Sequence, residues 1–158
     1  MAIRNIVKNG AGTPGDDILL KKSRPVEQID EKIIRLLEDM KDTLKKVNGI
    51  GLAAVQVGVL RRVAIIFDPD NNDEIIELIN PEIIAQTGKQ QDLEGCLSFP
   101  GRYGEVVRPQ RVKVKTLTRD GKWKTYIAEG LTARAFCHEI DHMNGVVFTG
   151  KVVRWAEN

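Results

Sequence analysis

The chain holds two histidines, and both fall within His138-Glu139-Ile140-Asp141-His142. Residues four apart on an α-helix stand one above the other on the same face, so two imidazoles at this spacing can grip one metal ion. Glu139, one residue along, is placed to handle protons on a water held by that ion. A surface helix carrying these residues by coincidence is the competing reading, but it would have to spend every histidine of the chain. A catalytic divalent site usually takes three protein ligands and leaves a position open to water. The motif therefore asks for a third ligand.

Two cysteines compete for that role. Cys137 directly precedes His138 and on a helix is rotated from it by roughly 100°, which turns it away from the ion. Cys96 is the better placed. It lies in Glu94-Gly95-Cys96-Leu97-Ser98-Phe99-Pro100-Gly101, where flanking glycines let backbone approach a ligand closely and leave the Leu97 N–H able to donate. Two cysteines are too few for a disulfide framework and suit a reducing compartment.

These residues resemble the peptide deformylase family. Three blocks carry the likeness in order: Gly49-Ile50-Gly51-Leu52-Ala53-Ala54-Val55-Gln56, Glu94-Gly95-Cys96-Leu97-Ser98, and His138-Glu139-Ile140-Asp141-His142. Lys21-Lys22-Ser23-Arg24-Pro25-Val26 adds weaker similarity. The resemblance implies a metallohydrolase that removes the formyl group from the N-terminal formylmethionine of nascent polypeptides. Cys96, His138 and His142 are then the metal ligands, with Glu139 as general base and later general acid. Gln56 and the Leu97 N–H hold the oxyanion, where one fixed donor is worth on the order of 3 kcal/mol. Gly49-Ile50-Gly51 matches an edge that pairs with substrate backbone, a β-augmentation mode of recognition. Gly95, in the second block, is implied as a further substrate-binding position, and Ile50, Leu131 and Ala135 match an apolar pocket for methionine. Asp141 is expected to orient the site by pairing with Arg108.

The implied cofactor is one divalent ion, Fe²⁺ natively. A thiolate ligand leaves the site compatible with Zn²⁺, Ni²⁺ or Co²⁺ as well. The implied partners are N-formylmethionyl nascent peptides, with transient ribosome contact. Longer relatives continue past the metal-binding helix into another helix associated with ribosome docking, for which Val152-Val153-Arg154-Trp155 is too short. Val55 and Met143 depart from the proline and leucine common in the family, and both changes keep an apolar residue. Two other functions compete: a zinc endopeptidase using His-Glu-x-x-His, and a catalytically silent metal- or peptide-binding module. The first lacks a downstream third ligand, and the second would lack Glu139 or Gln56.

The elements that must position these residues are partly readable. Asp30 can cap a helix whose Ile33, Leu37, Met40, Leu44 and Val47 share one face, ending near Asn48-Gly49. Val63-Ala64-Ile65-Ile66-Phe67 reads as a strand closed by a turn over 68–72, followed by strands within 74–79 and 83–87. Val112 to Thr118 and Trp123 to Ile127 alternate around Arg119-Asp120-Gly121-Lys122, a hairpin. Leu131 to Met143 reads as a helix stopped by Asn144-Gly145, and residues 10–15 as a loop. The expected fold is α+β: antiparallel sheets surrounding a central metal-binding helix, with an amphipathic helix nearer the N-terminus.

The chain has 158 residues, 29% charged, with a formal net charge of +2. A domain of this size buries roughly 70% of its unfolded surface, so one catalytic domain over residues 1–158 is expected to stand without staples. Its basic residues are scattered among acidic ones, which argues against stable nucleic-acid binding unless the fold gathers them. Met1-Ala2-Ile3-Arg4-Asn5 lacks the apolar stretch of a secretory signal and no run reaches membrane-spanning length. The expected location is the bacterial cytoplasm.

Overall fold

Asp30 starts the amphipathic helix with its own carboxylate, which accepts the backbone N–H groups of Lys32 and Ile33 at 3.1 Å each. This satisfies two of the donors that a helix start leaves unpaired. The helix, α1, runs Glu31–Val47 and stops where Asn48 turns left-handed, at φ 53°. In this computed structural model, residues 2–8, 18–69 and 73–156 are described. The expected loop at 10–15 and the tip of the turn at 70–72 lie outside them.

Among the described residues, eight strands follow α1 in two antiparallel sheets. β1 (Gly51–Ala53), β2 (Val63–Asp68), β3 (Glu74–Thr87), β6 (Arg111–Leu117) and β7 (Trp123–Glu129) form the larger sheet, in the order β1-β2-β3-β6-β7. β4 (Gln90–Cys96), β5 (Phe99–Arg108) and β8 (Val152–Trp155) form the smaller, in the order β4-β5-β8. The second helix, α2, spans Gly130–Met143.

β2 explains the continuous apolar run of its sequence. Val63 and Ile65 face α1 in a core with Leu36, Leu37, Met40 and Leu44, whereas Ala64 and Ile66 join a second core with Ala133, Phe136 and Ile140 of α2. A strand covered on both faces has no polar side to alternate with. The second core also takes Phe99 and Val106 of β5 and Phe148, so α2 is packed against both sheets. Its polar residues are thereby taken out of water, and burial is costly unless partners are found on the strands around them.

Two expectations about the elements change. The strands expected at 74–79 and 83–87 are one strand, β3, whose register with β6 slips between Ile79 and Glu82 and again between Ile83 and Ala85. Pro81 has no N–H for the ladder, and Asn80, at φ 50°, absorbs the irregularity. Its side chain exchanges hydrogen bonds with the Val26 backbone at 2.8 and 2.9 Å. Val47, expected on the buried face of α1, is 40% exposed because the last turn of the helix has run past the core and reached the rim of a cleft. Among the described residues, no helix is long and apolar enough to cross a membrane.

Candidate metal centre

α2 enters the core with Gly130 at φ 59°, a left-handed conformation that glycine adopts without steric cost. Two turns further on, His138, Glu139 and His142 are all buried, and the two imidazole centroids stand 5.0 Å apart. Cys96 comes from the other sheet, at the end of β4, where the pairing with β5 slips between Glu94 and Cys96. Its Sγ lies 3.4 Å from His142 Nε2. One ligand atom each from Cys96, His138 and His142 can be chosen with all three within 4.8 Å of one another. Cys137 instead sits in the hydrophobic core, where burial above all pushes its thiol up to about 11. A buried, protonated thiol of that kind is a packing residue.

The orientation of His138 is set from behind. Its Nδ1 meets Glu94 Oε1 at 2.9 Å. Burial alone would raise the Glu94 carboxyl, but Arg108 and His138 outweigh it and hold the group well below the usual carboxylate range. Arg108 donates to both oxygens, from Nε at 2.8 Å and Nη2 at 2.9 Å, and Arg134 Nη1 donates to Oε2 at 2.5 Å. A permanent anion there keeps the proton on Nδ1 and leaves the Nε2 lone pair to face the site. Arg108 also reaches Asp141 Oδ2 at 2.5 Å, so the expected pair is brought together. Glu94 and Arg134 are the site residues that the sequence reading missed. The available signal was that Arg134 stands four residues before His138, on the same face of α2.

Gln56 arrives on a short 3-10 turn, Ala54–Val57, directly after β1. Its Oε1 accepts the Ala53 N–H at 3.0 Å, which commits the other end of the amide. Nε2 therefore points into the site, 3.4 Å from Cys96 Sγ and 3.1 Å from Ser98 Oγ. Leu97 and Ser98 form the turn that joins β4 to β5. Glu139 faces the same space, and its Oε1 has no hydrogen-bond partner. Burial pushes its carboxyl up to about 7, while His138 pulls the other way; a cation beside it would also pull it down.

Gly51 makes room for that carboxylate. A Cβ added there would lie 2.6 Å from Glu139 Oε2, closer than any van der Waals contact allows. Gly51→Ala is expected to displace Glu139 and lower turnover by roughly 10²-fold, the penalty typical of an ångström-scale misplacement. Circular dichroism and metal content should stay at wild-type values. An unchanged turnover would mean that the carboxylate position does not matter.

A cleft of about 1260 Å³ opens onto these groups, and Ile50, Gly51, Gly95, Leu97, Leu131 and Ala135 all line it with Gln56, Cys96, His138 and Glu139. Ile50 and Leu131 are 42% and 50% exposed, a large apolar area to leave in water without a ligand to cover it. Ala135 is buried at the floor. The segment 3–8, Leu93 and Tyr103 also line the cleft, and none of these was expected. The Val7 N–H donates to Gln56 O at 2.7 Å, fastening that segment beside the amide.

The donor set suits a borderline divalent ion: one cysteine sulfur, two imidazoles with one already fixed in its tautomer, and an unpartnered carboxylate oxygen close by.

Comparisons with known proteins point the same way. The chain is 51% identical over 157 residues to a peptide deformylase of Caldanaerobacter subterraneus subsp. tengcongensis, covering 99% of this chain and 94% of the relative. It is 49% identical to peptide deformylase 1 of Clostridium acetobutylicum over the full length of both. A crystal structure of a peptide deformylase from Legionella pneumophila superposes with a TM-score of 0.88 at 42% identity, covering 96% of this chain and 86% of that one. A class I type b peptide deformylase from Acinetobacter baumannii, solved with Met-Ala-Ser bound, gives 0.85 at 33% identity, covering 96% and 99%. The family model for polypeptide deformylase matches residues 4–158, and the chain belongs to that family.

Proposed function

We propose that Cys96, His138 and His142 hold one divalent ion and that Glu139 moves the proton, in an enzyme that removes the formyl group from N-terminal formylmethionine. The observation that carries this assignment is the convergence of Cys96 from β4 with two histidines of α2, on the floor of an open cleft beside the Gln56 amide. When bound, the ion supplies Lewis acidity and a water acidified toward a pKa of about 7.

The chain's own groups do the rest. Glu139, dry and without a partner on Oε1, accepts a proton from the attacking water and returns it to the departing amine. Gln56 Nε2 and the Leu97 N–H donate to the formyl oxygen as negative charge gathers on it, with no reorganisation needed at that moment. Between β1 and the glycine-flanked end of β4 an extended peptide can pair through its backbone. Ile50, Leu131 and Ala135 then cover the methionine side chain.

The reading extends to the setting of the enzyme. A Met-Ala-Ser peptide is held by the Acinetobacter relative, and the same open cleft here suits N-formylmethionyl nascent chains, met transiently at the ribosome in the bacterial cytoplasm. We take residues 1–158 as one catalytic domain. Incubation with formyl-Met-Ala-Ser is expected to release formate and free amine in equal amounts. Cleavage of an unblocked polypeptide without formate release would favour an endopeptidase instead.

Fe²⁺ is the ion we assign to the working enzyme. Oxygen attacks both iron and an accessible thiolate, so the iron form is expected to lose activity in air, while a Zn²⁺ form, which has no redox chemistry, stays constant over the same period. Full activity of the iron form after long aerobic storage would contradict the assignment.

A further inference from the structure

The three ligand atoms come from two elements that are not neighbours in a sheet: Cys96 from β4, His138 and His142 from α2. Something must hold that strand and that helix at a fixed separation. Arg134, 4% exposed, makes several contacts that do so. From α2, its Nη1 reaches Glu94 Oε2 at 2.5 Å and the Asp92 carbonyl at 3.3 Å, and Nη2 reaches Gln90 Oε1 at 3.4 Å, all on β4. Nη1 also reaches the Val106 carbonyl on β5 at 3.2 Å. Arg134 and His138, one helical turn apart, share the Glu94 carboxylate, one on each oxygen.

We propose that Arg134 is a positioning residue for the metal centre: it clamps β4 to α2 and fixes Glu94 against His138 Nδ1, and so sets the geometry in which Cys96 meets the two histidines. The proposal rests on the ligand assignment above. A planar guanidinium suits the task because its donors leave in fixed directions and can serve several acceptors on one strand at once. Arg108 also links Glu94 of β4 to Asp141 of α2 through its guanidinium, but the Asp92 carbonyl and the Gln90 side chain further along β4 are bonded from α2 by Arg134.

The test uses protein loaded with Co²⁺, whose thiolate absorption bands report ligand geometry. Arg134→Met keeps length and removes the donors. It is expected to shift those bands, to speed Co²⁺ loss to a chelator by about 10- to 100-fold, and to lower kcat in the same range. KM for formyl-Met-Ala-Ser should stay within about twofold. Arg134→Lys, which keeps the charge and part of the bonding, should fall between. In a Glu94→Gln background, Arg134→Met should add less than about threefold to the release rate, because the two residues act through one another.

A lowered Tm with wild-type bands and wild-type release would overturn the proposal, leaving Arg134 a structural residue only. Should Arg134→Met fail to fold, Arg134→Lys decides: intermediate release supports the role, and wild-type release removes it. Wild-type protein that takes up Co²⁺ without a thiolate band overturns the ligand assignment itself, and this role with it.

Discussion

Glu139→Gln is expected to lower turnover of formyl-Met-Ala-Ser by roughly 10²- to 10⁴-fold, the range that a positioned general acid–base group contributes. Metal content should remain at the wild-type level, because Glu139 is not among the three groups that converge on one point. The substitution keeps the volume that Gly51 accommodates and removes only the ability to take up and release a proton. Burial has already pushed the carboxyl up to about 7, so the group is not one stabilised as an anion by neighbouring donors. Glu94 is the contrast: it is bound by two arginines and an imidazole and stays ionised. On the proposed roles these two carboxylates divide the work, one holding its charge and the other changing it. A Glu139→Gln enzyme with near-wild-type kcat would remove Glu139 from the mechanism.

Cys96→Ala is expected to abolish both tight metal retention and activity. Of the three proposed ligands Cys96 is the one from the smaller sheet, and two imidazoles alone fall short of the three protein ligands of a catalytic site. Elemental analysis after dialysis against a mild chelator should find about one ion per wild-type chain and a small fraction of that in the variant. The metal's contribution to stability should go with it, so that added ion raises the wild-type Tm and leaves that of the variant unchanged. Cys137→Ala is the control, since Cys137 packs in the core with a thiol pushed up to about 11. It should retain metal and activity. Full metal content in Cys96→Ala would move the third ligand elsewhere.

How much of this could be read from the residues depends on how each is buried. α1 and the β6–β7 hairpin show their periods because one face is wet and the other dry: Ile33, Leu37, Met40 and Leu44 repeat on the helix, and Val112 and Val114 alternate with exposed residues on β6. β4 shows no such pattern. Its one buried position is Glu94, satisfied by arginines in place of apolar neighbours, and a buried ion cluster leaves no hydrophobic period to detect. β1 is three residues long, and β8 is mostly exposed. Both escaped notice for want of length or contrast.

The site divides along the same line. His138 and His142 are legible from spacing alone, since the helix places them on one face. Cys96 is singled out against Cys137 by helix geometry and its flanking glycines, Gln56 is named by the family's blocks, and the fold brings the two together from 40 positions apart in the chain. The Arg134–Glu94 contact spans 40 positions and two elements, and no local rule links them. The segment 3–8 is held along the cleft by Arg4, bonded to Thr43 and Asp39 of α1, and by Val7, tied to the Gln56 carbonyl, long-range contacts without a sequence signature.

The most direct test of the central claim is X-ray absorption at the metal edge on anaerobically prepared, fully active protein. One sulfur and two nitrogen scatterers, with the sulfur lost in Cys96→Ala, are the result expected if Cys96, His138 and His142 hold the ion. A wild-type spectrum with no sulfur shell, or one that keeps its sulfur in the variant, would contradict it.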